Sequence, residues 1–337
     1  MRRLFLLILL AVFSSYPHAG SYAQREDVQT FIEYMHQQHG FEVATLNALF
    51  RRTQPVAAAI KAVMPPKDPG VRSWHAYRGR FVEPKRIAAG QRFMRLHAAE
   101  LAAAEMRFGV PARIIAAIIG IETLYGKQPG RFGTFAALTT LAFDYPPRAE
   151  LFRRELEELL LLAREENRNP MSYIGSYAGA LGLPQFLPSS RRRFAIDFDD
   201  DGRIDLDSSP ADAIGSVANF LAGHGWESDA PIAVVVSISG EGVQTLIEEG
   251  IAPQRAPRQM AAANVRLTRV GAGDTATEDA SDSLPDRPAA LIDLITPNAT
   301  TEYRLGYRNF YVITRYNRSS FYAAAVMDLA AALLASK

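Results

Sequence analysis

Residues 111–126 read PARIIAAIIGIETLYG. A helix that is apolar almost all round must be wrapped by other elements, so this stretch predicts the centre of a core. Pro111 fits the first helical position and Gly126 can end the helix. Apart from Arg113 near its start, the charge in this stretch is Glu122, which has no Lys or Arg within four residues. It follows Ile118 by four positions and Ile119 by three, so it shares their face. Burial and the negative end of the helix dipole both raise a carboxyl pKa. A raised carboxyl is what a general acid near neutral pH requires. A structural glutamate paired with a distant Arg is the other reading, and the helix alone does not choose between them.

The helical pattern extends on both sides. From Glu26 to about Glu105 apolar residues recur at helical spacing, as at Val28, Phe31, Ile32 and Met35, with Gly40 as a stop. MPPKDPG at 64–70 reads as a loop. RIAAGQRFMRLHAAELAAAEMRFG predicts one long helix ending at Gly109, and Arg148 to Glu166 predicts another. SYIGSYAGALGLPQFLPSS at 172–190 breaks both periodicities and reads as a loop with short turns. ADAIGSVANFLAGHGW resumes helix. PIAVVVSIS at 231–239 is a β-branched strand, GVQTLIEEG a short helix, and both NVRLTRV and TEYRLGYRNFYVITRYN carry strand-like residues. A polar loop, GAGDTATEDASDSLPDRP, separates the last two. Residues 226–310 thus read as a small α+β insertion before SSFYAAAVMDLAAALLA returns to helix. The overall expectation is a mainly α chain of the α+β class.

The first residues, MRRLFLLILLAVFSSYPHAGSYAQ, combine Arg2 and Arg3, a short apolar run, and small residues at Ser21 and Ala23. This pattern predicts a cleavable secretory leader over 1–23, its apolar run being too short to span a bilayer. The chain has no cysteine, which excludes disulfides, thiolate metal sites, a cysteine nucleophile and lipid attachment through Cys. A net charge of +1 gives no global attraction to nucleic acid.

DFDDDGRIDLDSSPAD at 197–212 places Asp197, Asp199, Asp201 and Asp205 at positions 1, 3, 5 and 9 of a calcium loop, with Gly202 at the turn position. Arg203 stands at position 7, where only a backbone carbonyl is needed. Ser208 replaces the usual glutamate at position 12, and Asp212 is placed to close a longer loop; an acidic turn without an ion is the alternative. The six histidines form no metal pair with a third ligand in view. Asp144, before two prolines, is a candidate second carboxylate, although a turn or cap role suits that setting better.

Taken together, IIGIETLYG, SYAGALGLPQFLPSS, DFDDDGRIDL with DAIGSVANFLAGHGW, and NFYVITRYNRSSFYAAAV resemble the lytic murein transglycosylase B family, from about Phe31 to Leu333. The resemblance implies a lysozyme-like core (102–225 plus 311–322) holding an EF-hand-like calcium loop. It further implies a helical domain (24–101 plus 323–337) and a small β-containing domain (226–310). It implies Glu122 as the single catalytic acid and base, with Ser176 contacting that carboxylate. Tyr77, Gln185, Phe220, Asn317 and Tyr322 would line the glycan groove, Phe220 standing where the family usually has a tyrosine. Leu183, Pro184 and Pro147 also depart from the commoner residues. Asp197, Asp199, Asp201, Arg203 and Asp212 map onto the calcium ligands. The expected cofactor is a structural Ca2+ and no organic group. The expected partners are peptidoglycan strands and other cell-wall enzymes, without nucleic acid or a stable membrane anchor. The leader and the implied function predict a periplasmic monomer; the family's lipid-anchored members carry a cysteine that this chain lacks, which implies a form without a lipid anchor.

Two carboxylates serve most glycosidases, and one suffices where the substrate's own groups assist. The implied reaction is therefore non-hydrolytic cleavage with a 1,6-anhydro product. A hydrolytic muramidase and a non-catalytic peptidoglycan-binding protein are the alternatives.

Overall fold

Three α-helices lie within residues 21–65: α1 (Glu26–His39), α2 (Val43–Arg52) and α3 (Ala57–Val63). The computed structural model describes residues 21–65, 72–267 and 284–335. The loop expected at 64–70, the loop expected at 271–288 and the leader lie wholly or largely outside them. The chain continues through α4 (Trp74–Phe81), α5 (Pro84–Leu96), α6 (Ala98–Phe108) and α7 (Ala112–Thr123). A two-residue strand β1 (Phe132–Gly133) precedes α8 (Thr134–Asp144) and α9 (Ala149–Glu165). β2 (Ile174–Gly175) follows and pairs antiparallel with β1. Then come α10 (Pro188–Phe194), α11 (Pro210–Gly223), β3 (Ala233–Ser237), α12 (Val243–Glu248), β4 (Arg266–Leu267), β5 (Ala290–Leu294), β6 (Glu302–Gly306), α13 (Arg308–Tyr316) and α14 (Ser320–Leu334).

The apolar helix α7 sits at the centre as its composition requires: Ile114 through Ile121 are all buried. Around it pack α4, α5, α6, α11, α13 and α14 in one hydrophobic cluster. A second cluster joins Tyr22, α1, α2 and α3 to α8 and α9. This division differs from the expected one. The first three helices share their core with α8 and α9, while α4, α5, α6 and α14 share theirs with α7. Apolar faces meet by shape rather than by order in the chain, so the helices of 24–101 do not form one packed unit.

The inserted sheet has the order β4-β3-β6-β5, all neighbours antiparallel. β5 shows why it is held. Ala290, Ile292 and Leu294 face the main core, whereas Ala289 and Leu291 face a small cluster with Val236, Leu305 and Tyr307. The period of two puts alternate residues on opposite faces, and both are covered.

Three local readings are corrected. The long helix expected before Gly109 breaks at His97 (φ −117°, ψ 35°), giving α5 and α6. FYVITRY is helix, not strand: Phe310, Val312, Ile313 and Thr314 are buried, and tertiary packing overrides the β-branched preference. The leader boundary at Ala23 runs through packed structure. Tyr22 is 3% exposed, and its hydroxyl donates to Asp144. Asp144 also takes Arg25, so this carboxylate is a structural anchor in the second cluster and not part of a catalytic pair.

Candidate active site

Glu122 occupies the last turn of α7 and remains partly exposed. The chain leaves that helix through successive left-handed residues, Leu124 (φ 50°), Tyr125 (φ 57°) and Gly126 (φ 83°). Two of the three carry side chains, a costly conformation that surrounding contacts must hold. One such contact is Thr123: its hydroxyl donates to Leu183 O at 2.9 Å and accepts from Gly126 N at 3.1 Å. The helix therefore stops three residues before the glycine that the sequence suggests.

The Glu122 carboxylate accepts one side-chain hydrogen bond, from the Tyr322 hydroxyl at 2.6 Å. Tyr322 lies in the first turn of α14, 200 positions further along the chain. Among the described residues Glu122 makes no salt bridge, so the ion-pair reading fails. Desolvation pushes its pKa up to about 7, against which the Tyr322 hydrogen bond pulls down. The carboxyl is thus half-protonated near neutral pH. Tyr77, in α4, is pushed up to about 12 by burial and by the nearby Glu122 charge. Burial and Glu122 also raise Tyr316 and Tyr322 well above the usual phenol value. Tyr316 stacks on Tyr322 with ring centroids 6.4 Å apart and donates to Pro184 O at 2.6 Å. The acid is ringed by neutral phenols.

The loop 174–187 brings the next groups. Ser176 Oγ accepts from Ala178 N at 3.3 Å and Ala180 N at 3.0 Å, which fixes a tight turn and leaves its hydroxyl proton free to donate. A Cβ on Gly175 would meet Ala180 O at 2.1 Å, which is why that turn needs glycine. Gln185 (φ 51°) donates through Nε2 to Gly182 O and Pro129 O, leaving its amide oxygen without a hydrogen-bond partner among the described residues. Asn317 ends α13 with its side chain exposed. Phe220 is corrected. It is 5% exposed and packed among Phe186, Phe194, His224 and Tyr316, so it offers no face to a ligand and supports Tyr316 from behind. Tyr316 is the site residue that sequence reading undervalues. Its signal is its spacing of six from Tyr322, but only the turn between α13 and α14 stacks the two rings.

The acidic loop lies against the same scaffold: Leu183 N donates to Leu206 O at 2.8 Å. Carboxylate oxygens of Asp197, Asp199 and Asp212 lie within 4.8 Å of one another. Oxygens bound to one Ca2+ at about 2.4 Å can lie no more than about 4.8 Å apart, so the spacing fits a hard cation. Gly202 takes the left-handed turn (φ 87°). Asp212 is 1% exposed, and burial together with Asp199 and Asp197 raises its carboxyl, a cost that a cation would remove. Its two oxygens accept from Phe198 N and Asp205 N, closing the loop where Ser208 could not. Two further carboxylates of the loop also accept backbone hydrogen bonds. Asp201 caps Arg203 N at 2.9 Å, and Asp205 accepts from Asp207 N and Ser208 N.

Comparison with known proteins places this arrangement. Residues 23–331 match the family described as Transglycosylase SLT domain. The chain is 35% identical over 323 residues to membrane-bound lytic murein transglycosylase B of Escherichia coli K12, covering 93% of this chain and 84% of that protein. Soluble lytic transglycosylase SltB1 of Pseudomonas aeruginosa superposes with a TM-score of 0.81 at 41% identity, covering 91% of this chain and 98% of the other. The E. coli lytic transglycosylase Slt35 in complex with calcium gives 0.78 at 35% identity, covering 93% and 94%. The fold is that of these lysozyme-like, mostly helical enzymes.

The raised carboxyl has a stability consequence. A folded pKa of about 7 against the ordinary 4.5 means that Glu122's contribution is full below 4.5 and lost as pH rises through 7. Glu122→Gln, which cannot ionise, keeps it. Thermal melts should show the variant gaining on the wild type between pH 5 and pH 8 by roughly 1–3 kcal/mol, discounted for partial exposure. Parallel pH profiles for the two proteins would refute the raised carboxyl.

Proposed function

This chain belongs to the transglycosylase SLT domain family and is a peptidoglycan-cleaving lytic transglycosylase, and we propose that Glu122 carries the reaction as its only acid and base. The observation that carries the proposal is a desolvated carboxyl whose sole side-chain partner among the described residues is a phenol. The glycan strand lies with the β-1,4 bond between N-acetylmuramic acid and N-acetylglucosamine beside Glu122. The carboxyl donates its proton to the glycosidic oxygen, and the bond from that oxygen to C1 of the muramoyl residue breaks. The 2-acetamido oxygen of the same residue takes up the positive charge at C1. The Glu122 carboxylate, stabilised by the Tyr322 hydroxyl, then removes the proton of the 6-hydroxyl. Oxygen O6 attacks C1 and displaces the acetamido oxygen, giving a 1,6-anhydro end and restoring the acid. An attacking hydroxyl on the same ring is held at high effective concentration, so no water need be activated.

Tyr77, Ser176, Gln185, Asn317 and Tyr322 are assigned to the strand, Gln185 through its amide oxygen and Asn317 through its exposed amide. Asp197, Asp199 and Asp212 are assigned to Ca2+, with the Asp201 side chain and the Arg203 carbonyl completing the shell. Bound there, Ca2+ would offset most of the repulsion among these carboxylates and would stiffen the loop whose Leu206 carbonyl accepts from Leu183; the chemistry at Glu122 does not pass through it. Export to the periplasm as a monomer fits a glycan substrate. Among the described residues no helix is long and apolar enough to cross a membrane.

Mass spectrometry of digested peptidoglycan tests the reaction. The expected products carry 1,6-anhydromuramoyl ends, with Glu122→Gln losing activity by roughly 10³-fold or more, as for loss of a general acid and base. Reducing ends would make the enzyme a hydrolytic muramidase, and an active Glu122→Gln would remove the assignment altogether.

The ion is tested separately. Removing Ca2+ with a chelator should lower the melting temperature by several degrees, and Asp212→Asn should abolish the difference. Equal melting temperatures with and without the chelator would rule out a structural ion.

A further inference from the structure

Arg86 stands in the first turn of α5 and is 9% exposed, yet among the described residues it forms no salt bridge. A buried guanidinium with no carboxylate in contact is costly, a cost that the nearby Glu83 charge offsets only in part. Its donors go to backbone carbonyls at two helix ends. Nε donates to Gly120 O at 3.0 Å, and Nη1 donates to Arg80 O. Gly120 lies in the last turn of α7, two residues before Glu122. Arg80 lies in the last turn of α4, three residues after Tyr77. Both carbonyls lie at the negative end of a helix dipole, so both ends attract the same cation.

The helix that carries Arg86 is itself fixed against α7. The Tyr125 ring is wedged between them. A Cβ on Gly90 of α5 would lie 2.1 Å from the Tyr125 hydroxyl, and one on Gly120 of α7 would lie 2.4 Å from it. Two glycines therefore admit one ring, and α5 cannot slide along α7 without expelling it. Gly120 O also accepts from Leu124 N at 3.1 Å, the bond that closes α7 into its left-handed exit. Arg86 thus grips the carbonyl on which the turn beside Glu122 is built.

We infer that Arg86 is a positioning residue: its guanidinium ties the helix end bearing Glu122 to the C-terminal end of the short helix that carries Tyr77, and so sets the acid's place relative to the substrate-facing phenol. This rests on the assignment of Glu122 as the acid. It does not touch substrate. A displacement of about 1 Å at a catalytic group can cost about 10²-fold in rate, so losing the tie should appear in turnover more than in binding.

The test uses the full chain, a soluble glycan of alternating N-acetylglucosamine and N-acetylmuramic acid, and Arg86→Met and Arg86→Lys. Turnover is expressed per folded molecule, with the folded fraction measured by circular dichroism in the same samples. For Arg86→Met, kcat should fall about tenfold or more while KM changes much less. Arg86→Lys keeps a charge and can bond one carbonyl, so it should recover part of the loss. Wild-type kcat per folded molecule in Arg86→Met, or a loss confined to KM, overturns the inference. Should Arg86→Met not fold, Arg86→Lys decides alone: a reduced kcat at unchanged KM supports the tie, and wild-type kcat overturns it. Activity remaining in Glu122→Gln would instead mark a failure of the acid assignment, whatever Arg86 does.

Discussion

The structure turns on one unfavourable placement, a carboxyl at the end of an apolar helix whose side-chain partner is a phenol rather than a cation. Desolvation raises its pKa, and the Tyr322 hydroxyl limits the rise. With an arginine in that place the acid would be permanently ionised. With no donor at all, the carboxylate formed after proton transfer would lack support. A hydroxyl bonded to the carboxylate is a middle course, and the raised values of Tyr316 and Tyr322 show that these phenols stay neutral beside it.

Much of the remaining fold serves to keep that placement rigid. Thr123 bonds to Leu183, and Leu183 bonds to Leu206 in the acidic loop, so three distant segments meet directly behind the acid. Tyr316 fastens Pro184 from the other side, with Phe220 packed beneath it. Cations are used where they hold structure and are kept off the carboxyl. Arg191 sits between Glu166 and the Ile204 carbonyl, Arg25 holds Asp144, and Arg86 holds two helix ends.

The sequence makes some of this legible and hides the rest for identifiable reasons. Glu122 is found because helical periodicity shows which face it shares, a local property. The acidic loop is found because oxygen ligands alternate along a short stretch and Gly202 marks the turn. The Tyr322 partner is not derivable from local pattern, since nothing near Glu122 signals a residue 200 positions away; only the family resemblance brings Tyr322 into view, as a groove residue. The helix α13 is misread because Val312, Ile313 and Thr314 favour strands locally, while the core takes them as a helix face. Phe220 is misread as a ligand surface because an aromatic near a loop can face either way; here the ring lies inside a cluster of four others. Ser176 adds a finer detail that no local pattern shows, its oxygen accepting from two backbone donors within its own turn.

The central claim is that burial keeps a proton on Glu122 at neutral pH. It is most directly tested by carbon NMR of protein labelled at glutamate δ-carbons, with Glu122 assigned by comparison with Glu122→Gln. The account predicts a titration midpoint near 7. A midpoint at or below the ordinary 4.5 would contradict it.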